Sequence, residues 1–293
     1  MKASRIIVMV AVILMIVGGL MAAIGYGMGG WAAAIDLTAK NPYLSLRNVS
    51  ISVNTDEFAT TEVVGDYTYK YECSNTARIK LDLGSVNARI VDNTKDDKIN
   101  VIITNCKYGV DYSDKSLEIK LVGIEGKKSE AVIEIPKGHK FSYASINAGA
   151  SDVTIDSLIV EDELDIDIGA GDVKIGELIS DGKTDMDLGA GNLDIGSTKM
   201  NNVDIECGAG NVDLAGVIDG VLNVQCGMGN VSMKLKDKSK NHNLYMEAAL
   251  GSVRVNGKEY AGIVDVEDES EDAFSDYNIE CSMGNIDINF TED

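Results

Sequence analysis

The sequence predicts an all-β protein, a parallel β-solenoid of 19–20-residue coils preceded by one N-terminal transmembrane α-helix. Three observations carry this. A short pattern recurs seven times between 146 and 288, apolar and polar residues alternate on both sides of a small triplet within each copy, and the chain opens on a long uncharged apolar run.

The opening run comes first in the chain. After Lys2 and Arg5 no charged residue occurs from Ile6 to Ile35. At about 1.5 Å per helical residue, Ile6–Ile24 spans roughly the 30 Å of a hydrocarbon core. A cleavable signal peptide is the rival reading, with Ala32-Ala33-Ala34 as its cleavage site, although signal h-regions run only about 7–15 residues. Both readings export the remainder of the chain, and Lys2 and Arg5 keep a retained N-terminus cytoplasmic. The expected location is therefore a single-pass cell-membrane protein with an extracellular C-terminal part. Three regions are expected: a transmembrane anchor over 1–35, irregular N-terminal β coils forming a cap over 36–145, and regular solenoid repeats over 146–293.

Charge narrows the partners. The chain has 26 basic and 47 acidic residues, and beyond Arg5 it holds 24 against 47, a net charge of −23. Nucleic acid is excluded, because its affinity comes from Lys and Arg on phosphates.

The repeat is clearest in Ile166-Asp-Ile-Gly-Ala-Gly-Asp-Val-Lys-Ile175 and Ile205-Glu-Cys-Gly-Ala-Gly-Asn-Val-Asp-Leu214. Its third triplet position falls at 151, 171, 191, 210, 229, 251 and 284, giving gaps of 20, 20, 19, 19, 22 and 33. Ile79–Val86 has the same grammar. Period-2 alternation means two short strands with one buried face each, and the Gly-x-Gly between them allows a sharp bend. A coil of this size buries its apolar face only by stacking on the next. The inward set is then Ile166, Met186, Ile205 and Val224; Ile168, Leu188, Cys207 and Cys226; and their partners beyond the bend. Asp265–Asp276 reads as an acidic loop between the last two coils.

Chemistry is sparse. His139 and His242 are the only histidines, with no His or Cys neighbour at metal-ligand spacing, and no Ser/His/Asp grouping is apparent. The Gly-x-Gly triplets lack the third glycine and the succeeding helix of a dinucleotide loop. No catalytic residue and no cofactor is expected. The acidic residues form the one candidate site. Asp165, Asp185 and Asp204, and beside them Asp167, Asp187 and Glu206, should stack outward on neighbouring coils about 5 Å apart. Such a ladder is either a solvated face or a set of oxygen ligands for Ca²⁺ or Mg²⁺. Asn192, Asn211, Asn230 and Asn285 read as a side-chain ladder beside the bend. Cysteines number five, and Cys207, Cys226 and Cys281 share one inward position, as free core thiols or with a Cys207–Cys226 bridge.

The Gly-Ala-Gly-Asp/Asn-Val repeats, the Ile133-Glu-Ile-Pro-Lys137 turn and the N-terminal anchor resemble the bacterial "putative adhesin" domain of unknown function, a Gram-positive, membrane-anchored β-solenoid family. The resemblance covers about residues 45–290, implies a solenoid at the cell surface and carries no catalytic residues to transfer. The function expected is a non-catalytic, membrane-anchored extracellular module for surface binding, adhesion or display. Its partners would be the membrane, through the helix, and an envelope polymer or a membrane protein. The alternatives are an accessory of an envelope-stress sensing system and, least consistent with two histidines, a polysaccharide-active β-helix enzyme.

Overall fold

Alternation of apolar and polar residues governs the folded chain. A computed structural model describes residues 60–261 and 264–292. The stretch expected to cross the membrane lies outside the described residues, and among those described no helix is long and apolar enough to do so.

Neighbouring repeats pair in parallel, residue for residue. Lys183–Leu188 lies between Val153–Ile168 and Asn192–Cys207, placing Met186 between Ile166 and Ile205. Beyond the bend, Leu193 lies between Val173 and Val212. The four inward columns, from Ile166 to Val224, Ile168 to Cys226, Val173 to Val231 and Ile175 to Met233, are at most 3% exposed. Burying one Leu or Ile side chain stabilises by about 1.5–3 kcal/mol, so this one core carries the fold.

The bend packs backbone on backbone. Ala190 N donates to Gly169 O, and Ala209 N to Gly189 O. A Cβ at Gly171, Gly191, Gly210 or Gly229 would overlap the carbonyl oxygen of the bend beneath. Glycine is required there for close approach.

The fold class differs from a parallel solenoid led by a helix. The strands close into a seven-stranded β-barrel with extra strands, and no α-helix occurs among the described residues. Five strand pairings are antiparallel, and all lie away from the central repeats. Lys98–Ser113 runs antiparallel to Ser116–Gly123 and Glu130–Pro136, and Thr61–Glu72 runs antiparallel to Lys98–Ser113. At the other extremity Val264–Asp268 and Lys258–Ala261 run antiparallel to His242–Ala248 and Ser252–Val255. A stack of parallel coils would leave an open edge of unpaired backbone at each end, and these strands cover it.

Chain order and spatial order also part company. Ser275–Cys281 lies between Asn211–Cys226 and His242–Ala248, and Asn285–Phe290 between Asn230–Leu235 and Ser252–Val255. The last copy is thus inserted beneath the one before it. Correspondingly, Arg78–Leu83 lies between Ser116–Gly123 and Lys140–Ala148. The acidic stretch 265–276, expected as a loop, contributes the antiparallel strand Val264–Asp268 and the first residues of the inserted strand.

Candidate functional site

The inward columns leave two outward columns of acids on one face. In the first, Asp165, Asp185 and Asp204 lie opposite one another and continue into Asn223 and Asn278. In the second, Asp167, Asp187 and Glu206 continue into Gln225, Glu280 and Glu247. All six candidate carboxylates are therefore brought together in two adjacent rows at the strand spacing of about 4.8 Å.

The first row is compensated. Lys183 Nζ reaches Asp185 at 2.8 Å and Asp204 at 3.4 Å. Asp204 also accepts from Asn223, which accepts in turn from Asn278 at 2.8 Å. The Asn223 hydrogen bond, then Lys183, holds the Asp204 carboxyl below its usual range. At the far end the Tyr143 hydroxyl donates to Asp165 at 2.7 Å, with the Arg78 guanidinium 4.8 Å from the centre of its ring. Burial, and then that hydrogen bond to a carboxylate, push the Tyr143 hydroxyl up to about 12.

The second row is not compensated. Among the described residues no Lys or Arg pairs with Asp167, Asp187 or Glu206. Their carboxyls are raised above the usual range, first by partial burial between neighbouring layers and then by the charges of neighbouring acids, Asp187 and Asp165 on Asp167, Asp185 and Asp165 on Asp187, and Asp187, Asp204 and Asp185 on Glu206. Like charges opposite one another in a sheet are destabilising, so this row stores repulsion that a cation would relieve.

Sequence reasoning missed Glu163. Its carboxylate and those of Asp165 and Asp185 lie within 4.8 Å of one another, the one described group of acids that could share a cation. Glu163 stands two residues before Asp165, on the same face of the same strand, which is the signal that could have found it.

On the other side of the bend Asn211 donates to Asn192 at 2.8 Å, Asn230 to Asn211 at 2.8 Å and Asn285 to Asn230 at 2.9 Å. Asn192 donates to Asp172 at 2.6 Å and Ser252 to Asn285 at 2.9 Å, so the amide ladder crosses the inserted repeat without a break. The cysteines are all free and buried. In the shared column each thiol donates to a bend carbonyl, Cys207 to Gly210 at 3.1 Å, Cys226 to Gly229 at 3.0 Å and Cys281 to Gly284 at 2.8 Å.

A Ser/His/Asp group, absent from any local motif, is assembled by the inserted strand. His242 Nδ1 hydrogen-bonds Ser275 Oγ, and its Nε2 lies 3.1 Å from Asp237 Oδ2. His242 and Ser275 are buried, and the imidazole packs on Tyr277 at 4.3 Å and Phe290 at 5.2 Å between ring centres. The trio joins Asp237, past the end of Asn230–Leu235, to the first residues of His242–Ala248 and Ser275–Cys281. It therefore ties together the three segments whose spatial order departs from chain order.

Against known families, the model described as Toastrack DUF4097 matches residues 76–287. No curated protein matches the sequence. Among solved structures, a putative adhesin from Bacteroides fragilis is 15% identical, with a TM-score of 0.45 over 78% of this chain and 98% of that one. A putative adhesin from Parabacteroides merdae is 12% identical (TM-score 0.35, 78% and 99%). A putative cell adhesion protein from Clostridium sporogenes is 16% identical (TM-score 0.29, 77% and 99%).

Proposed function

This chain belongs to the Toastrack DUF4097 family, and we propose that it is a non-catalytic binding module of the bacterial surface, anchored by residues 1–35 with the β domain outside the cell. The observation that supports this reading best is the uncompensated row Asp167, Asp187 and Glu206. Three carboxylates in register, raised by partial burial and then by the acids around them, favour a ligand bearing cationic groups at a similar spacing. Such a ligand is an amine-bearing envelope polymer or a Lys/Arg-rich segment of another surface protein. The row beside it ends in neutral hydrogen-bonding groups, Asn223 and Asn278, while its acids add to the negative potential that a cationic ligand would meet.

The buried Asp237–His242–Ser275 group fits a structural role in this proposal. A nucleophilic serine must be reached by substrate, whereas Ser275 is 6% exposed and its partner ring is packed between aromatic side chains.

The test is binding of the full-length protein, purified in detergent, to immobilised polylysine and to cell-wall preparations across a salt series, since contacts between exposed charges weaken as salt screens them. Asp167→Asn/Asp187→Asn/Glu206→Gln should lose most of the binding, while Asp194→Asn, an acid outside both rows, should keep it. Equal binding by the two variants would refute the assignment.

A further inference from the structure

The two extremities of the sheet are built differently. At the C-terminal extremity the outermost strands, Lys258–Ala261 and Val264–Asp268, are four and five residues long, and the second carries Asp265, Glu267 and Asp268. Short edge strands with charged side chains are one way β-proteins prevent further strand pairing. At the N-terminal extremity the outermost strand is Thr61–Glu72, twelve residues long. It pairs on one side with Lys98–Ser113, and among the described residues no strand pairs with its other side. A bulge at Gly65 interrupts only its beginning, leaving a regular run from Asp66 to Glu72.

This edge is also apolar. Val64 and Tyr67 are 54% and 51% exposed, and Val110 and Tyr112 of the neighbouring strand 38% and 39%. They are four of the seven large hydrophobic residues exposed among those described. On the same face of the strand as Tyr67, Tyr69 stacks on Tyr108 at 4.5 Å and Tyr71 meets Tyr112 edge-on at 5.3 Å.

We infer that Thr61–Glu72 is a pairing edge for a second copy of this chain, the two strands meeting antiparallel about a two-fold axis through Thr68. The sequence of the strand selects that partner and register. With Thr68 opposite its own copy, Asp66 faces Lys70 twice, once on each side of the axis, and Tyr67 faces Tyr69 twice. Shifting the axis by one residue toward the C-terminus sets Asp66 against Glu72, a like-charge pair. Shifting it the other way removes the Asp66–Lys70 match. Asp66 and Lys70 are both exposed, Asp66 accepting from Thr104 at 2.7 Å and Lys70 reaching Asp96 at 3.4 Å, so each can add a cross-strand partner without leaving a buried site. Backbone pairing of the five regular residues Asp66–Lys70 with their copies gives the affinity, and the crossed charges and aromatic pairs give the register.

The experiment uses the full-length chain in native membranes. All five natural cysteines are buried beyond residue 72, so a surface cysteine is the one thiol open to oxidant. Thr68→Cys places its thiol on the axis and should give a covalent dimer under copper–phenanthroline, whereas Glu62→Cys, six residues from the axis, should not. Asp66→Lys in the Thr68→Cys background should cut the dimer about fivefold or more, since it creates two like-charge pairs. Asp66→Lys/Lys70→Asp should restore it. A Thr68→Cys protein that stays monomeric overturns the inference, because another occupant, a foreign strand or the chain's own N-terminal segment, then holds the edge. Equal cross-linking at 62 and 68, or a yield indifferent to Asp66→Lys, overturns it as well, since proximity from the membrane segment alone would produce both.

Discussion

Gly229→Ala is a demanding test of the bend. A methyl at this position would overlap the Gly210 carbonyl oxygen of the layer beneath and come within 2.8 Å of Cys207 Sγ. That sulfur donates to the same carbonyl at 3.1 Å, so the substitution strikes both ends of one hydrogen bond. A flexible side chain could turn aside, but a backbone carbonyl locked in the stack cannot. Overpacking in cores costs about 1–3 kcal/mol, and an obstacle of this kind belongs at the top of that range. For a domain of this size, about 3 kcal/mol corresponds to a fall in Tm of roughly 6–12 °C. Gly196→Ala is the matched control: its methyl would meet the Gly176 carbonyl at 3.2 Å, a contact relieved by a shift of a few tenths of an ångström. Its cost should stay within about 1 kcal/mol. Adding Cys207→Ala to Gly229→Ala removes the sulfur contact but not the carbonyl overlap, so the double variant should recover little. Thermal unfolding followed by circular dichroism in detergent reads all three. If Gly229→Ala melts no lower than Gly196→Ala, the bends do not pack as described.

Two further expectations concern charge and the buried histidine. Asp167, Asp187 and Glu206 have raised pKa values, so the folded state binds their protons more tightly than the unfolded chain and stability should rise as pH falls from 7 toward the ordinary carboxylate range of about 4. The Asn/Asn/Gln triple variant should be more stable than wild type at pH 7 and gain less on acidification; parallel pH profiles would exclude the stored repulsion. Asp204 acts in the opposite sense, its lowered pKa contributing stability that is lost only on further acidification. His242→Ala removes the partner of Ser275 and Asp237 and the ring between Tyr277 and Phe290, and should cost about 2–4 kcal/mol in urea titration. Ser275→Ala should cost only about 1 kcal/mol. In the native protein Ser275 should resist fluorophosphonate, and its labelling would make the group a reactive one.

Where the sequence speaks in period 2, it speaks clearly. Ile166, Met186, Ile205 and Val224 are buried because alternation sends every second residue to one face, and the same rule sends Asp165, Asp185 and Asp204 outward. Lys183 was legible by that rule too: two residues before Asp185, it shares its face and reaches Asp204 one layer on. The closing strands were not legible. Thr61–Glu72 and Val264–Asp268 carry no copy of the repeat, and their antiparallel pairing depends on the whole stack that they terminate. Nor does anything near Ser275 announce His242, 33 residues earlier; the two meet only because the last repeat is inserted.

That insertion has a readable cause once the columns are laid out. Seven copies of one grammar can stack in more than one order, and backbone pairing alone does not choose among them. The side chains do. Ile279-Glu-Cys281 and Asn285 continue the Cys226 column and the Asn230 ladder directly, with Cys281 opposite Cys226 and Asn285 donating to Asn230. The copy at 246–255 offers Ala248 and Ser252 at those places. Placed next to Cys226 it would leave a cavity where the thiol stands, a loss of buried volume that proteins feel at the level of one heavy atom. Placed outermost, its Ser252 hydroxyl terminates the ladder by donating to Asn285, and its strands accept the short edges 258–261 and 264–268. The Asp237–His242–Ser275 group forms only in that order, so a polar network inside an apolar core selects one stacking among several of similar backbone energy.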